Sequence, residues 1–90
     1  MSQVAILVRV LPEDAEMKAE ELYRSIVPAL PERYKIARYE VEPIAFGLEA
    51  LLLLVIAPEN IEGGTEELEQ MLMSVKGVGQ VEVLRVSRMS

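Results

Sequence analysis

Fifteen acidic side chains and no histidine, cysteine or tryptophan define the chemistry open to this chain of 90 residues. The missing histidine removes the usual general base near neutral pH. The missing cysteine removes the thiol nucleophile, and together the two absences remove the commonest transition-metal ligands. What remains is carboxylates and hydroxyls. The carboxylate clusters Glu20-Glu21 and Glu66-Glu67-Glu69 fall in amphipathic helical stretches, where a solvated outer face is the simpler account than a catalytic pair. Gly63-Gly64-Thr65 ahead of a helix could offer free N–H groups to an anion. No lysine follows, however, and Glu66-Glu67 would repel a phosphate, so a loop and a helix cap are expected there. The methionines in and beside the same helix, Met71 and Met73, fit core filling.

One segment does not fit a periodic stripe. Pro43-Ile44-Ala45-Phe46-Gly47 contains the only phenylalanine of the chain, set between small residues in a connection. An exposed aromatic ring can fill a partner's pocket at small entropic cost. The same ring could fold back onto the core, and the residues alone leave both readings open.

The elements that must position this segment follow from periodicity. Gln3 to Leu11 is rich in β-branched residues and stops at Pro12, a first strand. Ala15, Ala19, Leu22, Tyr23, Ile26 and Leu30 recur at three- and four-residue spacing and predict a helix, with Asp14 placed to cap it and Pro28 and Pro31 to end it. Tyr34 to Glu42 alternates, with Tyr34, Ile36 and Arg38 on one face and Lys35, Ala37 and Tyr39 on the other; its charges suit an edge strand. Leu48 to Ala57 is almost wholly apolar and is expected in the middle of a sheet with apolar side chains on both faces. Thr65-Glu66-Glu67 opens a second helix with the stripe Leu68, Met71, Leu72 and Val75, which Gly77 stops. Val78 to Val86 is the last strand.

The order β-α-β-β-α-β predicts an α+β, ferredoxin-like sandwich, two helices over one face of a four-stranded antiparallel sheet, as a single domain over residues 1–90. The uncovered face, lined by Leu52, Leu54 and Ile56 with Leu7 or Leu84 beside them, is expected to be apolar and suited to self-association or docking. A formal net charge of −6 argues against direct nucleic-acid binding. No signal peptide is visible, and the apolar run from Ala50 to Ala57 is far below the roughly 20 residues of a membrane span, so a cytoplasmic protein is expected.

The run Glu42-Pro43-Ile44-Ala45-Phe46-Gly47-Leu48-Glu49-Ala50-Leu51 resembles the archaeal translation elongation factor 1-beta family. So do Gly64-Thr65-Glu66 and the ending Gly77-Val78-Gly79-Gln80-Val81-Glu82-Val83, and the similarity runs essentially end to end. The resemblance implies a guanine-nucleotide exchange factor without covalent catalysis or a cofactor, whose partner is the GTPase elongation factor 1-alpha. It implies that Pro43, Ile44, Ala45, Phe46 and Gly47 contact that partner, with Phe46 entering an apolar pocket. It also implies a basic residue near the C-terminus that disturbs the partner's magnesium and phosphate site, for which Arg88 is the candidate where eukaryotic factors have a lysine. The lysine pair that follows the loop in eukaryotic relatives is Glu49-Ala50 here, so its contacts do not carry over. Against these stand a domain of the same fold that binds other partners or small molecules, and an acylphosphatase-like enzyme. The latter wants an arginine cradle and an asparagine, whereas the only asparagine here is Asn60 in a loop.

Overall fold

A computed structural model describes residues 2–59 and 65–89. Of the loop expected over residues 58–64, Pro58 is instead the last residue of a strand, and residues 60–64, including Asn60 and the glycine pair, lie outside the described residues. The elements follow in the order β1 (Gln3–Pro12), α1 (Ala19–Ile26), a 3-10 turn (Val27–Ala29), β2 (Lys35–Ala45), β3 (Leu48–Pro58), α2 (Glu66–Met73) and β4 (Val78–Met89). The sheet order is β2-β3-β1-β4 with every neighbouring pair antiparallel, the α+β ferredoxin-like sandwich. The apolar β3 therefore takes a central place and the charged β2 an edge.

Alternation along the two central strands builds the core. Ile6, Val8 and Val10 of β1 and Leu51, Leu53 and Val55 of β3 are fully enclosed with Leu22 and Ile26 of α1 and Leu68 and Leu72 of α2. Each such side chain contributes about 1.5–3 kcal/mol by leaving water. The residues between them point to the face without helices. There Leu7 pairs with Leu54 and Arg9 with Leu52, and all four are half-buried. Leu7 is thus the β1 residue that joins the apolar strip. Leu84 does not join it in register, because it is left unpaired where β4 slips by one residue between the partners of Leu7 and Val8. Ion pairs close the strip from the side: Arg9 Nε reaches Glu42 Oε1 and Arg9 Nη1 reaches Glu82 Oε1, each at 2.9 Å, so one guanidinium ties β1 to β2 and to β4.

Four local expectations are corrected. Helix α1 begins at Ala19, a turn later than the apolar spacing suggests, and Ala15 is exposed. Asp14 caps no helix. Its Oδ1 accepts from the Glu16 N–H at 2.9 Å and its carbonyl from the Met17 N–H at 2.9 Å, a local turn in competition with helix. In β2 the strict alternation fails because Ala37 is unpaired between Ile36 and Arg38. This bulge moves Tyr39 to the core side with Tyr34 and Ile36, and puts Arg38 opposite Leu54 on the other face. Tyr39 then stacks on Tyr23 of α1, ring centroids 3.8 Å apart, and donates to Glu20 Oε2 at 3.1 Å. Finally, β4 continues past Val86 to Met89, so Arg88 is part of a strand and not of a loose tail.

The acidic clusters are used structurally. Glu67 Oε1 accepts from the Tyr34 hydroxyl at 2.7 Å and from Arg33 Nη2 at 2.7 Å. Those bonds from Arg33 first and Tyr34 second hold the Glu67 carboxyl below the usual range. Burial, then the bond to Glu67, raises the Tyr34 phenol above its ordinary value. Thr65 stands at the N-cap of α2, where its carbonyl accepts from the Glu69 N–H at 3.0 Å, but its hydroxyl makes no capping bond. Among the methionines of α2, Met71 packs on the core whereas Met73 is half exposed, so core filling holds for the first alone.

Candidate functional site

The segment expected to be a five-residue loop is mostly strand. β2 continues through Pro43, Ile44 and Ala45, Ala45 pairs directly with Leu48, and only Phe46 and Gly47 make the turn. Both have positive φ, 53° for Phe46 and 83° for Gly47, the pattern of a type I′ two-residue hairpin. Glycine adopts this freely, but phenylalanine does not, and Phe46 is the one described non-glycine residue with positive φ. Ile44 sits unpaired between Pro43 and Ala45, a second irregularity that twists the hairpin end.

The turn settles the question left open by the sequence. Phe46 is fully exposed, at 103% of its reference surface, and touches no core. Ile44 is 47% exposed, and Pro43, Ala45 and Gly47 also face solvent. A phenyl ring and a neighbouring isoleucine therefore stand at the end of a long ribbon, with the backbone strained at the ring itself. A strained turn that displays apolar surface suits recognition better than stability.

Two bonds from α1 brace this tip. Lys18 Nζ donates to the Gly47 carbonyl at 3.0 Å, and the Ala19 N–H donates to Glu49 Oε1 at 3.1 Å. Nothing in the local sequence around Lys18 announces these contacts, since their partners lie some thirty residues away in the chain.

Arg88 is placed elsewhere. It pairs with Val4, which pairs on its other side with Ala57, whereas the Phe46 turn adjoins Leu48. At ~3.3 Å per residue, the strand from Leu48 to Ala57 separates them by about 30 Å. The molecule is 42 Å in its longest dimension and 20 by 18 Å across, so the two candidates stand near opposite ends of the sheet. Arg88 is exposed and forms an ion pair with Glu59, Nε to Oε2 at 2.7 Å. Among the described residues no group of three or more His, Cys, Asp or Glu side chains could hold a metal ion. Among the described residues no helix is long and apolar enough to cross a membrane.

Residues 5–89 match the model of the EF-1 guanine nucleotide exchange domain. Over its full length the chain is 62% identical to a protein named elongation factor 1-beta from Thermofilum pendens, covering 99% of that protein. It is 54% identical to the elongation factor 1-beta of Desulfurococcus amylolyticus and 53% identical to that of Staphylothermus marinus, with complete coverage of both chains in each case. The domain match over residues 5–89, together with relatives 53–62% identical over the full chain, makes the chain a member of the EF-1 guanine nucleotide exchange domain family.

Proposed function

We propose that this chain accelerates the release of GDP from the GTPase elongation factor 1-alpha, so that GTP can bind and the form that carries aminoacyl-tRNA is regenerated in the cytoplasm. The whole chain acts as one exchange domain, with no cofactor and no direct contact with nucleic acid. The observation that supports this most is the fully exposed Phe46 at the tip of a braced hairpin. In this account the ring fills an apolar pocket on the partner, with Pro43, Ile44, Ala45 and Gly47 packing round it. Arg88 supplies the basic group directed at the magnesium and phosphate site. Because about 30 Å of strand separates the two, they grip distinct regions of the partner surface and the domain spans between them.

No covalent step is involved. GDP is held largely through its phosphates and magnesium, so a protein that binds the nucleotide-free GTPase more tightly than the loaded one must weaken GDP by the same factor. Rebinding of nucleotide then expels the exchange factor. The test is this reciprocity: calorimetric affinity for elongation factor 1-alpha, measured nucleotide-free and with GDP and magnesium present. Affinity that falls at least tenfold on adding GDP, a coupling of about 1.4 kcal/mol, is expected. Equal affinities would reduce the chain to a passive binder.

A further inference from the structure

The two bonds that brace the hairpin tip also bear on a problem in helix capping. The first N–H groups of a helix have no acceptor within it, and the N-cap side chain ordinarily supplies one. The N-cap of α1 is Lys18, whose ammonium can accept nothing. Two of the free donors find acceptors elsewhere. Glu21 Oε1 accepts from the Lys18 N–H at 3.2 Å, and Glu49 Oε1, from β3, accepts from the Ala19 N–H at 3.1 Å. The lysine stem is thereby free to turn outward, where its ammonium donates to the Gly47 carbonyl at 3.0 Å.

The placement of these contacts matters. Gly47 follows Phe46 immediately and Glu49 lies two residues further, so both bonds fall on the outgoing arm of the turn that carries the ring. A phenylalanine held at φ 53° beside a glycine at 83° is a conformation that persists only where its surroundings determine it. Ala19 is itself fully buried beneath the helix start, so the anchor point is part of the core. The chain of connection is continuous: core, α1 N-terminus, Glu49 and Lys18, hairpin arm, Phe46.

We infer that Glu49 and Lys18 are positioning residues for exchange, which fix the hairpin so that Phe46 is presented in its partner-binding orientation before contact. The inference rests on the proposal that Phe46 is the affinity anchor. Its consequence is thermodynamic. When only a fraction of molecules holds the competent tip, apparent affinity falls by that fraction, while the rate at saturation does not change.

The experiment is a set of fluorescent-GDP release titrations on elongation factor 1-alpha. Glu49→Ala is expected to raise the half-saturating concentration roughly 3- to 10-fold with the maximal rate kept. Glu49→Gln, which retains an acceptor oxygen, should stay within about twofold of wild type. Lys18→Met, which keeps the apolar stem and loses the donor, should raise it by about 2- to 5-fold. In a Phe46→Ala background, Glu49→Ala should have no further effect, because there is no ring left to position. Exchange of the Ala19 amide with deuterium, followed by NMR, should quicken in Glu49→Ala and not in Glu49→Gln, independently of any partner.

An unchanged half-saturating concentration in Glu49→Ala overturns the inference. So does an equal effect in the Phe46→Ala background, which would make Glu49 a direct partner contact or a general stabiliser. Glu49→Gln behaving like Glu49→Ala would show charge, not the capping bond, to be responsible. Failure of the wild-type chain to stimulate release is a different result, which removes the proposed exchange function and this inference with it.

Discussion

Replacing Phe46 by alanine should leave folding intact and cripple partner binding, because the ring is fully exposed and there is nothing inside the domain for it to lose. A buried phenylalanine truncated in this way costs about 3–5 kcal/mol of folding stability. A surface position away from special features changes stability by no more than about 0.5 kcal/mol. The positive φ at residue 46 persists in the variant, and alanine meets the same steric cost, so strain does not alter that comparison. On the partner the arithmetic is different. An aromatic side chain buries about 150–250 Å² when it enters a pocket. At ~25 cal/mol per Å² this is a ceiling of about 4–6 kcal/mol. Ordering and association offset part of it, and a central aromatic hot spot commonly retains about 2–4 kcal/mol. The expected rise in the half-saturating concentration for stimulated GDP release is therefore roughly 30- to 1,000-fold. Urea unfolding and release titrations on one preparation separate the possibilities. A variant destabilised by 3 kcal/mol would place Phe46 in the core, and one with wild-type stability and wild-type titration would remove the ring from the interface.

Leu53→Ala, at a fully buried site of β3, should lower stability by about 2–5 kcal/mol, and Leu54→Ala, half-buried on the helix-free face, by clearly less. Paired denaturant melts check this. Gly77→Ala should cost about 1–3 kcal/mol in the same assay: its φ is 97°, and an added Cβ would lie 2.5 Å from Met17 Sδ. The lowered Glu67 carboxyl predicts acid sensitivity, because the unfolded chain binds that proton more readily than the folded one. Its contribution is complete above the ordinary glutamate value of about 4.3 and is lost as pH falls through the lowered folded value. Thermal midpoints between pH 6 and 2 should show a shallower acid limb in Glu67→Gln. Arg88→Ala removes a surface ion pair with Glu59, which contributes about 0–1 kcal/mol. It should leave folding alone and lower the maximal stimulated release rate more than the affinity, as comparison of the two titration parameters will show.

Much of the architecture was legible because the strands and helices obey their periods. Gln3 to Leu11 reads as a strand and Leu48 to Ala57 as a central one, and Ala19, Leu22 and Ile26 read as one face of a helix. The failures have physical causes that do not lie in local sequence. The bulge at Ala37 goes together with the stacking of Tyr39 on Tyr23, a contact between two elements that no alternation pattern encodes. Asp14 looks like a helix cap and is a turn, because both structures use the same side-chain acceptor. The hairpin turn at Phe46-Gly47 was hidden because phenylalanine is an unusual occupant of its first position, where Asn or Gly is the normal signal. Phe46 stood out by type and isolation, whereas Lys18 and Glu49 did not, since their meaning arises only when α1 and the hairpin are packed together. Arg88 was a candidate only through the family resemblance, and its distance from Phe46 became visible only with the strand register.

The central claim is that this domain loosens GDP on its GTPase partner, and stopped-flow release of a fluorescent GDP from elongation factor 1-alpha tests it most directly. The GTPase is loaded with labelled GDP and magnesium, chased with excess unlabelled nucleotide, and mixed with rising amounts of the purified chain. The expected result is a release rate that climbs hyperbolically by at least an order of magnitude, with substoichiometric chain sufficient to discharge the whole pool. A rate that stays at its spontaneous value up to saturating chain, in a sample shown by calorimetry to bind the GTPase, would contradict the account.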